Sequence, residues 1–294
     1  MDTRHFLTAS RVLIVAGKGG VGKSTVAAAL ANMAAGVGLH TLFVEIEGKR
    51  PLDGLSPDVE VLALQPGTAL SEYLETHGLA RISKRLVTSG IVDIVASTAP
   101  GIDDLLTLGK IKQLERSGTY DLIVVDGPPA GQALGLLRAP LSLKRAVVAG
   151  PVRQQADEVI EMLGDSSRCR LMLVTSPETT PVMELVDTAF ELEEELNITL
   201  APVVINGIDS ADSLAGRFDE LVALGASSTS LHHIDDVRSA LQYRHQRVDR
   251  HRAARELLAS TLPLPQIRLP RIVGGSSVCA ALVEPLVHQV EALA

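Results

Sequence analysis

The segment Gly17-Lys18-Gly19-Gly20-Val21-Gly22-Lys23-Ser24-Thr25 carries the residue types that hold a polyphosphate. Its spacing satisfies G-x-x-x-x-G-K-[ST]. The glycines let the backbone adopt positive φ and pass close to an anion. Their N–H groups, together with the N-terminus of a following helix, form a positive nest for phosphate oxygens. Lys23 would lie along the β- and γ-phosphates, and the Ser24 hydroxyl would coordinate Mg²⁺. A second element, Leu122-Ile123-Val124-Val125-Asp126, ends four aliphatic residues with an acid. Asp126 would face Ser24 and hold Mg²⁺ through its water shell. In Val44-Glu45-Ile46-Glu47-Gly48-Lys49, an acid can orient the attacking water or reach the metal through one.

These groups need elements to position them. Aliphatic runs at 11–16, 41–46, 59–64, 122–126, 145–149, 171–175 and 202–206 read as buried strands. Amphipathic stretches at 24–38, 178–196, 235–258 and 278–293 read as helices. The alternation predicts an α/β fold, a mainly parallel sheet flanked by helices, as one domain over 1–294. Residues 66–118 form an expected helical excursion, with pieces at 69–75 and 105–115, and 151–168 a smaller helical subregion. Hydrophobic residues are 46% of the chain but aromatics only 2%, so the core must be aliphatic. The net charge of −8 argues against a general nucleic-acid coat. No secretory leader and no apolar run of roughly 20 residues is present, which predicts a cytoplasmic protein without a transmembrane segment. Cys169 and Cys279 match no metal-ligand spacing.

A lysine directly after the first glycine, here Lys18, resembles the deviant Walker A group of P-loop ATPases, which includes MinD, ParA, the nitrogenase iron protein and ArsA-type ATPases. The resemblance implies that Lys18 crosses a dimer interface to the partner's phosphates, in a role like that of an arginine finger. The stretch Asp126-Gly127-Pro128-Pro129-Ala130-Gly131-Gln132-Ala133-Leu134-Gly135-Leu136-Leu137-Arg138-Ala139-Pro140 is similar to the second switch of the ArsA and guided-entry (tail-anchored protein targeting) ATPases. Asp126, Pro129, Gly131, Leu134, Leu136, Leu137 and Pro140 fall in register. Pro100-Gly101-Ile102-Asp103 looks like the element ahead of that switch.

The same resemblance implies that Glu178 contacts nucleotide, that Asn206 reads adenine, and that Leu269-Pro270 packs against the base. Glu47 falls where the family has its catalytic aspartate, one methylene longer. Ala130, Gln132 and Gly135 replace the family's Thr, His and Arg. The expectation is an ATP- and Mg²⁺-dependent switch working as a homodimer or with a paralogue, coupled to a membrane protein, a transporter or a hydrophobic client. The short interval between Pro140 and Leu171 leaves little room for a client groove.

A MinD/ParA-like positioning ATPase is the alternative. It needs a basic surface for membrane or DNA, and the last helix has almost no basic residues. The run Arg244, Arg247, Arg250, Arg252 and Arg255 reads as a solvated face rather than a DNA contact. A nitrogenase-type reductase fails because no cysteine lies between residues 90 and 140.

Overall fold

A sheet covered on both faces needs strands that are apolar on both sides, and the aliphatic runs supply them. The computed structural model describes residues 1–46, 53–64, 101–209, 220, 234–273 and 277–293. Its strands are β1 (Val12–Gly17), β2 (Thr41–Ile46), β3 (Val59–Leu64), β4 (Leu122–Pro129), β5 (Cys169–Thr175), β6 (Val203–Ile208) and β7 (Gln266–Pro270). They form one sheet in the order β3-β2-β4-β1-β5-β6-β7. Every neighbouring pair is parallel.

Side-chain alternation divides each strand between two cores. Val12, Ile14, Leu42, Val44, Ile123, Val125, Leu171 and Leu173 enter one. Leu13, Val15, Phe43, Leu122, Val124, Met172 and Val174 enter the other. The first core is closed by α3 (Ile102–Ser117), α4 (Ala130–Ala146), α5 (Pro151–Gly164), α6 (Thr179–Leu196) and α7 (Ile234–Thr261). The second is closed by α1 (Thr3–Leu7), α2 (Lys23–Gly36), α8 (Val278–Ala281) and α9 (Val283–Glu291). Alanines 27, 28, 29 and 31 of α2 are fully buried. Their small side chains let α2 lie close against β1, β2 and β4 while α8 and α9 cover its outer face. Among the described residues no helix is long and apolar enough to cross a membrane.

Three expectations are corrected. Residues 145–149 are not a strand: α4 runs to Ala146, because Leu136, Leu137, Ala139, Pro140 and Leu143 are buried at helical spacing. Val148, 93% exposed, has no core to join. The sheet also has an edge strand, β7, which is not among the strands expected from the aliphatic runs; Ile267 and Leu269 point inward and Arg268 outward. The final helix is two helices, since Pro285 has no N–H for the Ala281 carbonyl and the chain turns at Leu282. Residues 66–100 of the expected excursion lie outside the described residues, and α3 is its remaining part.

Between α3 and α5 a buried charge requires a partner. Lys112, 7% exposed, donates from Nζ to Glu158 Oε2 at 2.6 Å and to Gln155 Oε1 at 2.8 Å. Arg116 adds a bond to Glu158 at 2.9 Å. Lys112 first, then Gln154, hold the Glu158 carboxyl down at about 2, from an ordinary 4.5. A depressed folded pKa contributes stability above the unfolded value and loses it as pH falls through the folded one. Glu158→Gln should therefore cost roughly 1–3 kcal/mol at pH 7 in urea unfolding. The gap to wild type should close as pH falls from about 5 to about 2; a gap that does not change with pH would refute this pairing as its source.

Candidate functional site

β1 ends at Gly17 and α2 begins at Lys23, so the phosphate-binding loop turns from strand to helix at the carboxyl edge of the sheet. The turn is tight enough to exclude side chains. A Cβ on Gly17 would overlap the Val174 carbonyl oxygen of β5. Gly22, the N-cap of α2, has φ 89°, and a Cβ there would overlap the amide nitrogen of Asn206. Without that Cβ, Asn206 Nδ2 donates to the Val21 carbonyl at 2.9 Å, tying the end of β6 to the loop. Gly19 and Gly20 are exposed at the crest, while Val21 is buried beneath it.

Lys23 is 7% exposed, and its ammonium donates to the Lys18 carbonyl at 3.2 Å, inside the curve of the loop. Ser24 Oγ donates to Asp126 Oδ2 at 2.6 Å. Asp126 is fully buried on β4 and shares the α2-facing side of that strand with Val124. The hydroxyl and the carboxylate are hard oxygen donors, the chemistry suited to Mg²⁺. Thr25 follows within the first turn of α2 and is half-buried.

Lys18 points elsewhere. Its Nζ meets Glu184 Oε1 of α6 at 2.6 Å, with the two side chains 44% and 49% exposed. The remaining predicted residues stand at the carboxyl ends of β5, β6 and β7. Glu178 is the exposed N-cap residue of α6, and Pro270 ends β7 opposite Ile208. Glu47 lies outside the described residues.

One residue whose place the sequence left unresolved is Glu45. It is 9% exposed and sits directly across from Asp126 in the β2–β4 register. Period-two alternation from Phe43 was the available signal, since both share the face that carries α2. Neither cysteine belongs to the site: burial pushes the Cys169 thiol up to about 12, which keeps it unreactive.

A glycine loop closing on a helix, a serine bonded to a buried aspartate of the neighbouring strand, and an all-parallel sheet define a P-loop NTPase. The family model for anion-transporting ATPases, ArsA ATPase, matches residues 10–149. ATPase BagA of Mycobacterium tuberculosis is 32% identical over 225 residues, 68% of this chain and 66% of that protein. An arsenical pump-driving ATPase of Escherichia coli is 28% identical over 214 residues, 69% of this chain and 36% of that protein. The chain thus spans just under two thirds of the mycobacterial relative and about a third of the arsenical one. It belongs to the ArsA-type ATPase family.

The loop geometry makes a specific demand. Gly22→Ala should destabilise the chain by about 1–3 kcal/mol, because its φ is left-handed and its Cβ displaces Asn206. Nucleotide affinity should fall with it. Gly36→Ala, in open space on α2, should instead be neutral or stabilising by up to about 1 kcal/mol. Thermal unfolding of the two variants, with ADP titrations, checks both; equal effects would remove the steric argument.

Proposed function

We propose that this chain binds Mg-ATP and hydrolyses it as a dimer, either with itself or with a paralogue. The bound nucleotide would set how the dimer engages a protein client or a membrane-protein partner. The observation that best supports nucleotide chemistry is the 2.6 Å bond between Ser24 and Asp126, which brings a metal-type oxygen pair to the foot of the loop. When bound there, Mg²⁺ would neutralise charge across the β- and γ-phosphates.

Lys23 would exchange the Lys18 carbonyl for a phosphate oxygen, a stronger acceptor because it is charged. The loop N–H groups from Gly17 to Thr25 and the α2 N-terminus would take the remaining oxygens. With its Nδ2 committed to Val21, Asn206 keeps Oδ1 as an acceptor for an adenine amine. Pro270 would pack against the base and Glu178 would contact the nucleotide, as the family resemblance implies. Glu47 is the residue proposed to orient the attacking water.

The dimer rests on Lys18. Its ion pair with Glu184 is half-exposed, a kind of pair worth about 0–1 kcal/mol. Lys18 is therefore released at little cost and can reach a partner's phosphates, where a second cation would stabilise the charge that develops on transfer.

ATPase rate measured against protein concentration tests the reading. Wild-type turnover per chain should rise with concentration. Lys18→Ala should lower turnover about 10²-fold or more while ADP binding largely survives. Asp126→Asn should raise the Mg²⁺ concentration needed for turnover and lower the rate, and Glu47→Gln should slow hydrolysis without loss of binding. Glu184→Gln should leave turnover intact or raise it by freeing Lys18. Normal, concentration-independent hydrolysis by Lys18→Ala would sink the dimer mechanism.

A further inference from the structure

The arginine run of α7 is not a uniformly solvated face. Tyr243, Arg247, Arg250 and His251 recur at the spacing of a single helical stripe. They line an open cavity of about 540 Å³, whose other walls are Glu178 and Thr179 at the start of α6 and Arg271 after β7. Sites for small molecules span roughly 300–1,000 Å³. Arg250 and Arg271 are exposed at its mouth; Arg244 and Arg252 are exposed too but lie outside this wall.

The charge in the cavity is unbalanced. Among the described residues, three guanidiniums face one carboxylate on its walls, Glu178. Arg247 engages Asp209 through Nε at 3.0 Å, which leaves its terminal nitrogens for the cavity. Arg250 lies 5.9 Å over the Tyr243 ring, and among the described residues neither it nor Arg271 has a carboxylate partner. His251, 2% exposed, adds no compensating charge. Arginine cannot shed its proton at any accessible pH. Bringing three together in a chain of net charge −8 becomes favourable when an anion sits among them. Guanidinium forks match phosphate and carboxylate geometry.

We infer that this cavity binds a small organic polyanion carrying phosphate or carboxylate groups, beside the nucleotide site rather than in it, with Glu178 the wall residue that the two share. Arg250, Arg271 and the free edge of Arg247 hold the charged groups. A concave pocket of this size favours such a ligand over a nucleic-acid backbone, which needs an extended basic track. The inference does not depend on ATP hydrolysis or on dimerisation.

Calorimetric titration tests it, with pyrophosphate and citrate as separate probes and the chain saturated with Mg-ADP so that the loop is occupied. If the chain takes no Mg-ADP, the same titrations on a Lys23→Ala background remove the loop's contribution, and the two readings fail separately. At least one probe should bind, more weakly as salt rises. R250A/R271A should weaken it about tenfold or more, R250K/R271K should recover part of the loss, and R244A/R252A should have no effect. Which probe binds tells phosphate from carboxylate recognition. The inference is overturned if neither probe binds, or if R244A/R252A weakens binding as much. It is equally overturned if Mg-ADP displaces the probe, if R250A/R271A weakens ADP itself, or if only a DNA duplex responds to the arginines.

Discussion

The strand-to-helix turn at 17–22 is packed so closely against β5 and β6 that two of its positions have no room for a Cβ. That exclusion organises the site. It seats Gly17 against the Val174 carbonyl, lets Asn206 bond the loop at Val21, and delivers α2 with Lys23 inward and Ser24 against Asp126. The loop is thus preorganised by contacts from strands more than 100 residues away, and its N–H groups need no ordering when an anion arrives. Ala-rich α2 fits beneath α8 and α9 because its small side chains permit close packing on both sides.

The two lysines of the loop illustrate how burial sets role. Lys23 is enclosed, with its ammonium held against the Lys18 carbonyl inside the curve of the loop. Lys18 is half-exposed and held by an ion pair that solvent screens, so it is free to exchange partners. Ser24, Asp126 and Glu45 come from three elements, yet parallel register sets the two acids side by side on the face that α2 covers.

On the opposite side of the loop, α7 serves two surfaces. Ala254 and Leu258 seal the core, while Tyr243, Arg247, Arg250 and His251 turn toward the start of α6 and the end of β7. A helix with arginines around most of its circumference gives no clear amphipathic signal. Only its seating against β6 and α6 separates the residues that face solvent from those that face a cavity.

The glycine–lysine–serine spacing, the aliphatic runs and the acid that closes 122–126 determined by themselves that a parallel sheet would carry a phosphate-binding loop, because local period and backbone freedom are written in neighbouring residues. Strands β2 and β3 were legible to the residue for the same reason. The sequence could not separate helix from strand at 145–149, where an aliphatic tail follows a buried helical stripe, and it missed β7, whose strand character comes from pairing with β6. Lys18's contact with Glu184, Glu45's place beside Asp126 and the arginine cavity were decided by tertiary structure alone. Each joins side chains from separate elements, and register and helix seating, not spacing along the chain, bring them together.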